Sequence, residues 1–148
     1  MKYKSLSVTI LIAEDDPDDC LLMEEVFRES SQGYNLVFVQ DGIELFEYLR
    51  QQASYATSKS VKRPDLILLD LNMPRMDGLE ALAEIKADPN LRSIPVVVLT
   101  MSSTEEDVLR TYELGGAGFI IKPANIEAMA EVVKVLNQYW FEVVELTR

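Results

Sequence analysis

Short apolar runs alternating with helix-period stretches are the feature that leaves this chain fewest ways to fold. Val8-Thr9-Ile10-Leu11-Ile12-Ala13, Tyr34 to Val39, Leu66-Ile67-Leu68-Leu69, Val96-Val97-Val98-Leu99 and Ala117-Gly118-Phe119-Ile120-Ile121 each have strand length, and a helical pattern follows each. Strands separated by helices favour a parallel sheet covered on both faces. Right-handed crossovers then make a doubly wound, five-stranded α/β sheet the economical solution, in the flavodoxin-like order 2-1-3-4-5. The 148 residues and 48% hydrophobic content suit one domain with a real core.

Local signals place the helices. Pro17 suits a first helical position, and Asp18 and Asp19 suit the positive end of the helix dipole, predicting a helix from about Pro17 to Glu29. Cys20, Met23 and Phe27 fall on one face of it. Asp41-Gly42-Ile43-Glu44 has capping-box spacing, with Leu45, Phe46 and Leu49 as the inward stripe. Asp77-Gly78-Leu79-Glu80 starts a third helix that Asp88-Pro89 ends. Ser103-Thr104-Glu105-Glu106 reads as another capping box, and Gly115-Gly116 as a helix stop. The last helix runs from about Asn125 to Tyr139, with Ile126, Met129, Val133 and Leu136 facing inward. Residues 52–63 read as an exposed polar loop, a tolerated surface insertion.

Four of the apolar runs end in residues suited to a phosphoryl group. The first ends in Glu14-Asp15-Asp16, the third in Asp70, the fourth in Thr100 and the fifth in Lys122. In a doubly wound sheet the carboxyl ends of the strands meet at one edge, where ligands bind, and the first and third strands are neighbours at the switch point. Clustered carboxylates repel one another and raise each other's pKa, a cost that a bound divalent cation removes. Carboxylate and carbonyl oxygens suit a hard ion such as Mg2+, or another divalent cation such as Mn2+. Asp16 and Asp70 are the leading direct ligands, the Asn72 backbone carbonyl completes the protein's share, and Asp15 acts through a water. Asp70 is the best nucleophile, since a carboxylate can attack phosphorus to give an acyl phosphate. Lys122 and Thr100 supply a mobile positive charge and a hydroxyl donor for the phosphoryl oxygens. Taken singly, Asp70 also suits a turn, Asp16 a helix cap, Thr100 a strand end and Lys122 a solvated surface. Their joint placement is what favours a site.

Composition excludes other chemistries. There is no histidine, so Ser-His-Asp and Cys-His catalysis are ruled out and any phosphohistidine donor belongs to another protein. The net charge of -11 opposes direct nucleic-acid binding. No apolar run approaches the roughly 18–20 residues that span a bilayer. The single Cys20 cannot form an internal disulfide, which fits a cytoplasmic location. A flavin-type phosphate loop is absent after the first strand, where three acids stand, and no P-loop or Gly-x-Gly-x-x-Gly occurs.

The chain closely resembles the receiver domain of two-component response regulators. The matching residues are Glu14-Asp15-Asp16-Pro17, Asp65 to Pro74, Met76-Asp77-Gly78, Pro95 to Thr100 and Lys122-Pro123. The resemblance covers about residues 7–138, and the loop at 52–63 with Leu91 to Pro95 is most like the phytochrome-associated single-domain regulators of cyanobacteria. It implies that Asp70 is the phosphoacceptor, that Asp15 and Asp16 are the acid pair, and that Asp16 and the Asn72 carbonyl hold magnesium. It further implies that Thr100 and Lys122 read out the phosphate, that a cis-proline follows Lys122, and that Phe119 is the switch aromatic. Phe119 also suits an ordinary strand aromatic. Met101 departs from the family, which has a small residue there, and its bulk predicts narrower access to Asp70 and slower phosphoryl chemistry.

Residues 1–148 are thus expected to form one receiver domain whose tail, 139–148, leaves no room for an output domain. The signal then leaves through a protein surface. Val132, Val135, Tyr139 and Trp140-Phe141 add apolar surface to the last helix, suggesting a homodimer through the face of helix 4, strand 5 and helix 5 or through the tail. A tail folded back over the helix explains the same residues. The leading function is a non-enzymatic phosphoacceptor charged by a histidine kinase, with a phytochrome as the candidate donor that the resemblance implies. The alternatives are an aspartyl-phosphate phosphatase, which needs a second acid that Asp70-Leu71-Asn72 lacks, and a receiver-like module that never takes phosphate.

Overall fold

A computed structural model describes residues 8–29, 34–54, 62–102 and 104–143. Strands β1 (Val8–Ala13), β2 (Tyr34–Val39), β3 (Leu66–Leu69), β4 (Val96–Thr100) and β5 (Gly118–Ile121) form one sheet in the order β2-β1-β3-β4-β5. All four pairings are parallel. Helices α1 (Pro17–Arg28), α2 (Gly42–Ser54), α3 (Gly78–Ala87), α4 (Glu105–Glu113) and α5 (Ile126–Gln138) connect and follow them, and a π-helical turn covers Tyr139–Val143. The doubly wound architecture and strand order are those the alternation predicts.

The period of two along each strand splits the apolar residues between two cores. Leu11, Ala13, Ile67, Leu69 and Val96 face one side, where Leu45, Phe46 and Leu49 of α2 and Ala81, Leu82 and Ile85 of α3 cover them. Val8, Ile10, Ile12, Leu66, Leu68, Val97 and Leu99 face the other, against Met23 and Phe27 of α1 and Met129, Val133 and Leu136 of α5. Each such large side chain, once buried, stabilises the fold by about 1.5–3 kcal/mol. The central strands β1, β3 and β4 are buried along their whole length, which holds their carboxyl ends rigidly.

Helix starts follow the side chains that cap them. Asp16 caps α1, Asp77 caps α3 and Asn125 caps α5, each accepting a backbone N–H two or three residues on. Asp41 Oδ1 accepts the Glu44 N–H at 2.9 Å, while Glu44 Oε1 reaches back to the Gln40 N–H at 2.7 Å. At α4 the cap is Thr104, whose hydroxyl accepts the Asp107 N–H at 3.1 Å, so the expected Ser103 box shifts by one residue. Ser103 itself lies outside the described residues.

Three other expectations need revision or fall outside view. Ile126 is 66% exposed, because it stands at the first helical position, one turn ahead of the stretch packed on the sheet. Cis peptide bonds are absent among the described residues, so Lys122–Pro123 is trans. That isomer is intrinsically favoured by about 0.5–1 kcal/mol. Residues 52–54 form the end of α2, which runs to Ser54, so the expected loop at 52–63 begins too early, and residues 55–61 of it and 144–148 lie outside the described residues. The start of the tail does fold back: Trp140 and Phe141 pack on the α1/α5 core, and the Phe141 ring lies 5.6 Å from that of Tyr34.

Candidate functional site

Backbone hydrogen bonds at the carboxyl edge draw the strand ends together. Glu14 N–H donates to Val39 O at 2.9 Å, Asp70 N–H to Ala13 O at 3.1 Å, and Lys122 N–H to Thr100 O at 2.8 Å. The residues that follow β1, β3 and β5 are thereby each pinned to a neighbouring strand. Behind Asp70 the chain turns so tightly that a Cβ on Gly78 would lie 2.6 Å from the Asp70 carbonyl oxygen and from Leu71 Cα. That close approach requires glycine.

Asp70 is the centre of the arrangement. The Thr100 hydroxyl donates to its Oδ1 at 2.7 Å, and the Asn72 N–H donates to the same oxygen at 3.1 Å. Lys122 Nζ lies 3.3 Å from Oδ2. Thr100 also accepts from the Asn72 side-chain amide at 3.4 Å. Asp70, Thr100 and Lys122 are all buried. The sequence placed these three together, and the structure does so.

The acid pair is displaced by one residue from its expected position. The carboxylates that converge, with ligand oxygens all within 4.8 Å of one another, are Glu14, Asp15 and Asp70. Asp16 is outside that group. Its Oδ1 accepts the Asp18 N–H at 2.9 Å as the cap of α1. The signal was present in the sequence: a proline at the first helical position makes the preceding residue the cap. The donors are hard oxygens, and two of the three carboxylates are buried with Lys122 as their counter-charge among the described residues, a set that fits a divalent cation.

Electrostatics confirms how crowded the charges are. Burial pushes the Glu14 carboxyl up to about 7, against the lowering effect of its hydrogen bonds to Lys122 and to the Asp16 N–H. Burial alone would lower Lys122, but hydrogen bonds to Asp19 and Glu14 and the neighbouring negative charges outweigh it, and its pKa is raised. Lys122 Nζ lies 2.5 Å from Glu14 Oε1 and 2.8 Å from Asp19 Oδ2. Asp19 was expected only as a helix-dipole residue, and nothing local in the sequence signals a partner 103 positions away.

Phe119 is half-buried on β5, in register with Val98. Met101, just past Thr100, is 68% exposed. In the loop after Asp70, Arg75 adopts φ 68° and its guanidinium binds Asp41 through Nε and Nη2, both at 2.8 Å.

Comparison with known proteins agrees with this geometry. The response regulator receiver domain family matches residues 10–134. Response regulator Rcp1 of Synechocystis sp. is 42% identical over 137 residues, covering 93% of this chain and 91% of its own length. The crystal structure of the phosphorylated cyanobacterial phytochrome response regulator RcpA matches with a TM-score of 0.88 at 42% identity, covering 96% of this chain and 99% of that one. The Mn2+-bound form of Rcp1 matches at 0.86 and 41% identity, covering 95% and 99%. A chain with this sheet, this carboxyl-edge constellation and these relatives belongs to the response regulator receiver domain family, the phosphoacceptors of two-component signalling.

Proposed function

We propose that Asp70 takes the phosphoryl group from a histidine kinase and that Glu14, Asp15 and Asp70, with the Asn72 backbone carbonyl, hold the Mg2+ that the transfer needs. The observation that carries this reading is the convergence of Thr100, Asn72 and Lys122 on the two oxygens of one buried carboxylate. The bound cation supplies positive charge against the negative charge that builds on the phosphoryl oxygens. An Asp70 oxygen attacks phosphorus, the P–N bond of the donor phosphohistidine breaks, and its imidazole nitrogen keeps the bonding pair. Thr100 and Lys122 then donate to the new phosphoryl oxygens. Phe119 turns inward as Thr100 follows the phosphate, and Met101 at the mouth of the site slows small donors and water.

The kinase is a phytochrome or a relative of one, a reading supported by the likeness to RcpA. The chain acts in the cytoplasm as a non-enzymatic signalling module and passes its signal through protein contacts. A homodimer through the α4/β5/α5 face is supported by exposed Leu109, Tyr112, Ile121, Val135 and Tyr139 beside an apolar groove of about 470 Å³. Incubation with a phosphorylated histidine kinase and Mg2+, followed by intact-mass measurement, tests the central claim. A single phosphoryl adduct lost in Asp70→Asn supports it. Multiple turnover of a small phosphate ester indicates a phosphatase, and no adduct at all indicates a binding module.

A further inference from the structure

The Lys122 ammonium has three N–H donors, and three carboxylates engage them: Glu14 at 2.5 Å, Asp19 at 2.8 Å and Asp70 at 3.3 Å. A phosphoryl group on Asp70 brings new acceptor oxygens to an ammonium with no free donor. Phosphorylation turns the Asp70 carboxylate into an acyl phosphate, so the donor now on Asp70 passes to the phosphoryl group, and a second contact with that group requires Lys122 to release Glu14 or Asp19. The three partners are not equivalent. The Glu14 side chain is 2% exposed and Asp70 7%, whereas Asp19 is 25% exposed. Asp19 reaches water and is re-solvated when Lys122 lets it go, whereas Glu14 is closed off from water between Lys122 and the candidate cation site.

We propose that Asp19 is a positioning residue that holds Lys122 in the resting state and competes with the phosphoryl group for it. When Asp70 is phosphorylated, Lys122 turns its donor from Asp19 to a phosphoryl oxygen and Asp19 returns to water. Asp19 thereby sets how readily the site charges, without touching the reacting atoms. The proposal rests on Asp70 being the phosphoacceptor. Asp18, its exposed neighbour in the first turn of α1, is the matched control. Its removal costs the same net charge and a similar helix-dipole interaction but no contact with Lys122.

The test is calorimetric titration of the full chain with beryllium fluoride, a phosphoryl analogue, at saturating Mg2+. Asp19→Asn is expected to bind it about three- to tenfold more tightly than the parent, since a charge-assisted competitor becomes a neutral one. Asp18→Asn is expected to stay within about twofold. A merely structural role for Asp19 predicts weaker binding in Asp19→Asn. Unchanged or weaker binding in that variant overturns the proposal, as does an equal gain in Asp18→Asn, which is a general charge effect. If the parent binds no beryllium fluoride and takes no phosphoryl group, the Asp70 reading fails and this one with it. If the parent binds and Asp19→Asn matches it, only the role of Asp19 fails.

Discussion

Replacing Glu14 with glutamine should remove most of a specific pH dependence of stability. The Glu14 side chain is 2% exposed, with one oxygen on Lys122 and the other on the Asp16 N–H, and burial lifts its carboxyl from 4.5 to about 7. A folded-state pKa above the unfolded value means that the native chain binds the extra proton in the window between them. The stabilisation is fully present below 4.5 and is lost as pH rises through about 7. Each unit of difference is about 1.4 kcal/mol, so the whole window amounts to about 3 kcal/mol, and the part between pH 6 and pH 8 to about 1 kcal/mol. Urea unfolding followed by far-ultraviolet circular dichroism, with a chelator present, reads this directly. The parent should lose about 1 kcal/mol more than Glu14→Gln between pH 6 and pH 8. Saturating Mg2+ should shrink that difference, because a cation favours the deprotonated carboxylate. Parallel pH profiles for the two proteins would refute the assignment of Glu14 as a buried acid poised near neutrality.

Asp41→Ala should cost about 1–2 kcal/mol in the same assay, since it removes both the α2 cap and the partner of Arg75. The Glu44 N–H, with Arg75 alongside, holds the Asp41 carboxyl below its ordinary value despite burial, so its contribution is present near neutrality and fades as pH falls through the acid range. Gly78→Ala should destabilise the chain and slow acyl-phosphate formation, because the added methyl carbon would meet the Asp70 carbonyl oxygen at 2.6 Å. Unaltered denaturation midpoint and phosphorylation rate would contradict that. Burial and the carboxylates of Glu14, Asp19 and Asp16 push the Cys20 thiol up to about 11. At pH 8 about one part in a thousand is thiolate, so alkylation should be far slower in the folded than in the urea-unfolded chain.

The strands were legible because a two-residue period and apolar runs are local signals: β2 spans Tyr34–Val39 as expected and β3 Leu66–Leu69. The convergence of Asp70, Thr100 and Lys122 was legible because topology places consecutive strand ends on one edge. The acid pair was less so. Three acids in a row each fit the chemistry, and only the cap geometry of α1 separates Asp16 from Glu14 and Asp15. Ile126 fitted a helical stripe, but the period alone does not say where the helix first meets the sheet.

By itself, the sequence determined the doubly wound sheet, its strand order and the set of residues at its carboxyl edge, since chain chirality and side-chain periodicity act over a few residues at a time. Tertiary structure alone decided which oxygens meet. The bonds from Lys122 to Asp19 and from Arg75 to Asp41 span 103 and 34 positions. Such partners are chosen by packing, burial and the need to satisfy every buried charge. None of these is written in any local stretch of chain.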